Sequence, residues 1–275
     1  MKKMNKKIKL IISDIDGTIL PYGWKRVSDK TVESFQKLKE NNYYTALATG
    51  REYVTIGDVL DQVGHSDFFI GANGSFIYDI KNKKEIYSNY LNFDNVKKFS
   101  KFFKANFNND LMFVTDDKWI HLSDINHSHL DQSWFLANHK DKFKDIADKS
   151  INKEKISILT IVSKDENVYN ECKGFIEKNC PEIEINTKWS SGFFVSSKGT
   201  NKLSAAKALS THLNSSIDQV MAFGDSENDI EMIKGVGHGI AVANALDSVK
   251  KVAKLVVGPA NKDGVFHYLK EQKFI

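Results

Sequence analysis

The chain has 275 residues, of which 41% are hydrophobic, and its formal net charge is +4 at pH 7. This length allows one large or two smaller globular domains, and no apolar run approaches the roughly 18 residues of a membrane-spanning helix. Five lysines among the first nine residues account for the positive charge, which argues against a basic surface for nucleic acid. We expect a cytoplasmic protein of two domains, monomeric or a small homo-oligomer, without nucleic-acid or membrane partners.

The first apolar run of the chain, in residues 9–20, leads directly into two carboxylates. Its short, continuous hydrophobic character predicts a strand covered on both faces, as in a parallel sheet. Because side chains alternate along a strand, Asp14 and Asp16 project to one side while Ile15 turns towards the core. A turn would explain Asp16 and Gly17, but not a carboxylate at position 14 against the hydrophobic run, where an unpaired charge is costly.

Strands and helices then alternate. The predicted elements are a helix from Ser28 to Asn41, a strand at residues 43–48, a helix at 52–63, a strand at 67–70 and a hairpin at 75–87. This order predicts parallel strands joined by right-handed crossovers. Thr49 and Gly50 follow the second strand, so we expect them at the same edge of the sheet as Asp14.

The pattern changes near residue 84, where amphipathic helices and strands without strict alternation begin, and the α/β pattern resumes near Phe193. The later elements are a helix at 201–213, strands at 220–223, 239–242 and 255–257, and a closing helix from Val265. We therefore predict an α/β core with a parallel sheet and helices on both faces, built from residues 1–83 and 191–275. Residues 84–190 are predicted to form an inserted α+β domain.

Three predicted strands end in polar residues, and a lysine begins the helix before the last of them. These residues are Asp14 with Asp16, Thr49, Asp225 with Asn228 and Asp229, and Lys202. Four carboxylates at one sheet edge would repel one another, so such a site needs a cation. Oxygen donors without a histidine or cysteine favour Mg²⁺. With Lys202, such an ion would make this edge a receptor for a phosphate group.

The four clusters, in this order, resemble the four motifs of the haloacid dehalogenase (HAD) superfamily of phosphotransferases. The large insertion, the sequence Ala-Thr-Gly-Arg at residues 48–51 and the sequence Gly-Asp-x-x-Asn-Asp at residues 224–229 resemble the Cof-like phosphatases, which carry a type IIB cap. The resemblance covers residues 8–272. It implies a Rossmann-like core, a cap that closes over the substrate, and a Mg²⁺-dependent phosphatase for small phosphorylated metabolites such as a sugar phosphate or a phosphorylated cofactor.

The same resemblance implies a role for each cluster. Asp14 would be the nucleophile that forms an aspartyl-phosphate, and Asp16 would be the general acid and base. The phosphate-binding residues would be Thr49, Gly50, Lys202 and Asn228, and the metal ligands would be Asp14, the carbonyl oxygen of Asp16, Asp225 and Asp229.

Two lysines could supply the third motif. Relatives place this lysine before a helix, some two dozen residues ahead of the fourth motif. Lys202 precedes Asp225 by 23 residues and Lys198 precedes it by 27. We therefore assign the motif to Lys202.

Two other functions share parts of this pattern. A sugar phosphomutase would need a cationic pocket in the inserted domain for a second phosphate, and the sequence indicates none. A phosphate-sensing module of the receiver type also places an aspartate, a threonine and a lysine around Mg²⁺. Such modules are much shorter than this chain and do not need Asp16.

Several further residues have weaker claims to function. The inserted domain contains histidines and aromatic residues that we interpret as surface and core residues in preference to a zinc site or a substrate pocket; they are His121, His127, His129, His139, Trp119, Trp134 and Phe135. Trp24, Arg51 and Asn73 follow sheet-edge motifs and are better candidates for the substrate cleft, although Arg51 could instead form bonds only within the scaffold. Asn244 and residues 261–263 could lie near the phosphate or form turns. Cys172 and Cys180 are expected to be reduced.

Overall fold

The structure is a computed structural model that describes residues 8–127, 130, 136 and 138–275. The chain forms two compact units. The first unit comprises Met1–Gly50, Asp58–Ser88 and Asn201–Ile275, and the second comprises Arg51–Gly57 and Asn89–Thr200.

The described strands and helices are numbered in chain order. The strands are β1 (Leu10–Ser13), β2 (Tyr44–Ala48), β3 (Phe68–Gly71), β4 (Phe76–Asp79), β5 (Lys84–Ser88), β6 (Leu111–Thr115), β7 (Ile120–Leu122), β8 (Phe143–Asp145), β9 (Ile158–Val162), β10 (Ile183–Trp189), β11 (Gly192–Ser197), β12 (Val220–Gly224), β13 (His238–Val242) and β14 (Leu255–Val257). The α-helices are α1 (Asp29–Glu40), α2 (Val59–Val63), α3 (Phe93–Asn106), α4 (Glu166–Asn179), α5 (Lys202–His212), α6 (Ile230–Gly235), α7 (Asp247–Val252) and α8 (Gly264–Glu271).

The first unit is built on an eight-stranded sheet with the order β14-β13-β12-β1-β2-β3-β4-β5. Strands β14 to β3 run parallel, and β4 and β5 extend the sheet as an antiparallel hairpin. Leu10, Ile12 and Ile15 are fully buried, as expected for a central strand covered on both faces. The predicted α/β core is confirmed.

Helix α1 follows its sequence signals. The Ser28 hydroxyl accepts a hydrogen bond from the Thr31 N–H at 3.1 Å, which caps the first turn. Phe35 and Leu38 are buried on one face of the helix, and Asn41 ends it. The predicted helix is therefore confirmed at both ends.

The predicted helix at residues 52–63 is wrong in its first half, because only Val59–Val63 are helical. Gly57 has a φ of +61°, which is incompatible with a right-handed helix. The Glu52 N–H donates to the Thr55 hydroxyl at 2.9 Å. Residues Arg51–Gly57 belong to the second unit.

The second unit contains a six-stranded sheet with the order β10-β11-β9-β6-β7-β8, antiparallel except between β7 and β8. Helices α3 and α4 supply Phe99, Phe103, Cys172 and Ile176 to its main core. A smaller core contains residues of β6 and β7 and the side chain of Val54. This is an α+β unit, as predicted.

The bounds of this unit lie later than residues 84 and 190. Lys84–Ser88 pair with β4 in the first sheet, and Gly192–Ser197 pair with β9 and β10 in the second. In both cases the strand belongs to the sheet in which its pairing partner lies, although the sequence pattern changes a few residues before the bound. None of the described helices combines the length and the hydropathy that crossing a membrane requires.

Candidate active site

Three neighbouring parallel strands place polar side chains at one edge of the first sheet. Asp14 follows β1, Thr49 follows β2 and Asp225 follows β12, and all three are buried. Since parallel strands end at the same edge, the predicted convergence of these residues is present.

Lys202 joins two of the carboxylates at this edge. Its Nζ lies 2.7 Å from Asp14 Oδ1 and 2.7 Å from Asp229 Oδ1, and the side chain is fully buried. It is the first residue of α5, whose start is fixed by a capping box between Asn201 and Ser204. Lys198 is exposed and belongs to the second unit. The structure therefore brings the lysine chosen from spacing to the carboxylates.

Asp229 is held on both of its oxygens. Oδ1 contacts Lys202, while Oδ2 accepts hydrogen bonds from the N–H groups of Asp225 at 3.0 Å and Ser226 at 3.1 Å. A Cβ at Gly224 would lie 2.6 Å from the Asp229 Cγ, so only glycine allows this approach. The carboxylate thereby fixes the turn that presents Asp225.

The Asp225 carboxylate also accepts hydrogen bonds from the loop after β1. Thr18 Oγ1 lies 3.2 Å from Oδ1, and the Tyr22 hydroxyl lies 2.9 Å from Oδ2. Oxygens of Asp14, Asp225 and Asp229 lie within 4.8 Å of one another. Three carboxylates against the ammonium of Lys202 leave two negative charges, so this oxygen-only donor set fits a hard divalent cation.

The pKa values of these groups reflect their crowding. Burial raises the pKa of Asp14 well above its usual range, with Lys202 opposing and the other two carboxylates reinforcing the shift. Burial and the charge of Asp229 raise the pKa of Asp225 to about 6. Burial would lower the pKa of Lys202, but Asp14 and Asp229 raise it above its ordinary value. The lysine stays charged, and a divalent cation would relieve the repulsion among the carboxylates.

Asp16 lies outside the group of three carboxylates, immediately before the turn at residues 17–19. It is partly buried, and its backbone forms a bridge with Leu20. Gly17 has a φ of +84°, and its carbonyl accepts a hydrogen bond from Asn244 Nδ2 at 2.7 Å. The turn thus begins directly after the two aspartates of the first motif.

Asn73 and Asn228 connect two further loops at this edge. Asn228 Nδ2 donates to Asn73 Oδ1 at 2.9 Å, and the Asn73 N–H donates to the Thr49 carbonyl at 3.0 Å. Gly50 leaves room for this contact, because a Cβ there would lie 3.2 Å from Asn73 Oδ1. Asn73 Nδ2 is buried and has no hydrogen-bond partner among the described residues.

Two other candidates from the sequence form structural contacts. Asn244 Oδ1 accepts a hydrogen bond from the Ala260 N–H at 2.8 Å, which ties the turn after β1 to the turn before α8. Asp263 accepts a hydrogen bond from the Ser28 hydroxyl at 2.6 Å. Both contacts agree with the expectation that Asn244 and residues 261–263 form turns.

The residues of the second unit that the sequence suggested as functional make separate contacts. Arg51 donates to the carbonyl of Ile56 at 3.5 Å. His121 and His127 are buried, so the expectation of surface histidines is wrong for these two; His121 Nε2 lies 2.9 Å from Asp116 Oδ2. Trp119 is partly buried beneath Lys144. His129, Trp134 and Phe135 lie outside the described residues.

The comparisons with known proteins decide the family. The family profile described as haloacid dehalogenase-like hydrolase matches residues 11–269. The chain belongs to the haloacid dehalogenase-like hydrolases. The family and enzyme class predicted from the motifs, a phosphoric monoester hydrolase of the HAD type, are confirmed.

The HAD-like hydrolase is 28% identical over 273 residues to the 5-amino-6-(5-phospho-D-ribitylamino)uracil phosphatase YitU of Bacillus subtilis (strain 168), with 98% of each chain covered. It is 27% identical over 276 residues to the HMP-PP phosphatase of Yersinia enterocolitica, covering 95% of this chain and 94% of that protein. Its fold matches that of the HAD subclass IIB sugar phosphatase BT4131 with a TM-score of 0.80 at 20% identity, over 97% and 100% of the two chains.

Sequence reasoning missed Tyr22 and Ser226 in the site of this HAD-like hydrolase. Both donate to Asp225 Oδ2, Tyr22 at 2.9 Å and Ser226 at 3.2 Å. Ser226 lies inside the fourth motif and could have been found there. Tyr22 lies in a loop whose path no local pattern predicts.

Proposed function

We propose that this HAD-like hydrolase is a Mg²⁺-dependent phosphatase that cleaves small phosphate monoesters through an aspartyl-phosphate on Asp14. The observation that carries the proposal is the buried ammonium of Lys202, held 2.7 Å from Asp14 Oδ1 beside two further buried carboxylates. This arrangement would supply a nucleophile, a phosphate-binding cation and a site for a divalent ion in one place, which supports the proposal.

Asp14, Asp225 and the carbonyl oxygen of Asp16 would hold the metal, and Asp229 would act through water or directly. When bound, Mg²⁺ would neutralise the remaining negative charge and polarise the phosphoryl oxygens. Asp229 would also keep Lys202 in place, since its Oδ1 lies 2.7 Å from Nζ.

The reaction would proceed in two displacements. A carboxylate oxygen of Asp14 forms a bond to phosphorus while the bond from phosphorus to the leaving oxygen breaks, and Asp16 gives that oxygen a proton. Water then attacks the phosphorus, Asp16 takes its proton, and inorganic phosphate leaves with Asp14 restored. Lys202, Thr49, Gly50 and Asn228 bind and orient the phosphoryl oxygens in both steps.

The substrate class follows from the relatives. One of them is named for a phosphoribitylamino-uracil and another for HMP-PP, both small phosphorylated compounds. We accordingly infer that a sugar phosphate or a phosphorylated cofactor or its precursor is the substrate here.

The direct test replaces the nucleophile. We expect Asp14→Asn to abolish Mg²⁺-dependent hydrolysis of an aryl phosphate, whereas Asp61→Asn, an exposed aspartate on α2, keeps wild-type turnover. Unchanged hydrolysis by Asp14→Asn would exclude this mechanism. In Asp16→Asn, an aryl phosphate with a good leaving group should leave the phosphoryl group on Asp14, detectable by mass spectrometry after acid quenching. Sugar phosphates and phosphorylated cofactors should then be compared as substrates.

A further inference from the structure

Tyr22 makes an unusual contact for a side chain that is 65% exposed. Its hydroxyl lies 2.9 Å from Oδ2 of the buried Asp225 and 3.1 Å from the Ser226 hydroxyl. The ring faces solvent while the oxygen at its tip enters the acidic cluster.

The Tyr22 ring lies against the backbone of Gly17. A Cβ at Gly17 would lie 2.5 Å from Tyr22 Cε2 and 2.3 Å from Asp225 Oδ2. Ring, glycine and carboxylate are therefore in mutual contact. This contact places the tyrosine hydroxyl over Asp225.

The bond from Tyr22 is also the shortest that Asp225 accepts from a side chain among the described residues. Thr18 donates to Oδ1 at 3.2 Å and Ser226 donates to Oδ2 at 3.2 Å. Of these three donors, the Tyr22 hydroxyl lies nearest to the carboxylate. Each carboxylate oxygen can accept more than one partner, so Oδ1 retains capacity for a further ligand.

We propose that Tyr22 is a positioning residue for the metal site, holding Oδ2 of Asp225 so that the carboxylate is oriented for a divalent cation before the cation binds. The inference rests on the proposed function, because it assumes that Asp225 is a metal ligand. Its physical basis is that a hydrogen bond to a ligating carboxylate fixes the direction of the free lone pairs.

The test is calorimetric titration of the full-length protein with Mg²⁺ alone, without substrate. Tyr22→Phe removes the hydroxyl and keeps the ring on Gly17, and it should weaken Mg²⁺ binding by about 10-fold. Ser226→Ala should weaken it less, since its bond to the same oxygen is longer. Tyr44→Phe is the matched control, because Tyr44 is 46% exposed at the start of β2, and it should leave Mg²⁺ affinity unchanged.

Equal Mg²⁺ affinity of Tyr22→Phe and wild type, with an unchanged melting temperature, would overturn the role of Tyr22 and leave the proposed function intact. Failure of the wild-type protein to bind Mg²⁺ would instead overturn the metal site, and with it both proposals. Asp225→Asn should weaken Mg²⁺ binding more than Tyr22→Phe does. It gives the loss of affinity expected when a ligand itself is removed, against which the effect of Tyr22→Phe is compared.

Discussion

Lys202 supplies the positive charge that Asp14 and Asp229 contact in the first unit. A buried lysine normally loses affinity for its proton, and here the two carboxylates reverse that effect. Its removal would leave buried negative charge uncompensated, which is costly to the fold. Under the proposed function it would also remove a group that binds phosphate.

We predict that Lys202→Ala loses turnover and phosphate binding and lowers the free energy of unfolding by about 3 kcal/mol, measured by urea denaturation. Lys198→Ala is the natural control, because Lys198 is exposed in the second unit. Loss of phosphate binding in Lys198→Ala, with Lys202→Ala unaffected, would contradict the assignment of the third motif.

Strand ends alone predict three of the site residues, whereas Lys202, Asn228 and Asp229 are predicted from the spacing and likeness of the motifs. Asp14, Thr49 and Asp225 each follow a strand with a continuous apolar run, so topology alone brings them together. Tyr22 could not be predicted, because its contact with Asp225 depends on the path of a loop and on the missing side chain at Gly17.

At the scale of elements, residues Arg51–Gly57 depart furthest from their predicted structure. Glu52 is buried there and accepts hydrogen bonds from the hydroxyls of Thr55 and Thr115. Burial raises its pKa from 4.5 to about 7, against the effect of these bonds. Helical periodicity carries no information on a tertiary contact of this kind, which is why the helix was predicted too long.

The raised pKa of Glu52 gives stability a pH dependence. The folded state binds a proton more tightly than the unfolded state, so the stabilising contribution is complete below pH 4.5 and is lost as the pH rises to about 7. The change amounts to about 3 kcal/mol for a shift of this size. We predict that Glu52→Gln reduces the pH dependence of the free energy of unfolding by this amount, measured by urea denaturation across the interval; the part that remains belongs to Asp14 and Asp225, whose pKa values are also raised.

Glu171→Gln is the control for this experiment, because Glu171 is exposed on α4 in the same unit, and it should retain the wild-type slope. If wild type and Glu52→Gln show parallel pH profiles, Glu52 is not protonated in the folded protein at neutral pH.

At the scale of the whole molecule, the second unit draws its main core from one continuous stretch. The buried residues of that core extend from Leu91 to Val195. The division into two units was predictable from the change in periodicity. The exact bounds of the units were not predictable. The unit to which β5 or β11 belongs depends on the strand with which it pairs, and its own sequence does not specify that strand.

We predict that residues 89–200 fold as an isolated fragment with cooperative thermal unfolding. The fragment should be less stable than the same unit in the full chain, because Val54 and Glu52 are absent from it. Within the fragment, Phe99→Ala should cost about 3 kcal/mol, and the partly buried Phe102 should cost less when replaced. A fragment without dispersed NMR signals would contradict this prediction, and a second fragment that restores residues 51–57 would then test whether that segment is required.

The positions of the two cysteines have a practical consequence. Its two cysteines, Cys172 and Cys180, are both fully buried in the core of the second unit, and burial raises the pKa of both thiols. A thiol-specific reagent can react only when that core opens. The rate of alkylation therefore measures how often the core of the second unit opens. The first unit, which holds the acidic cluster, contains no cysteine and does not contribute to this rate.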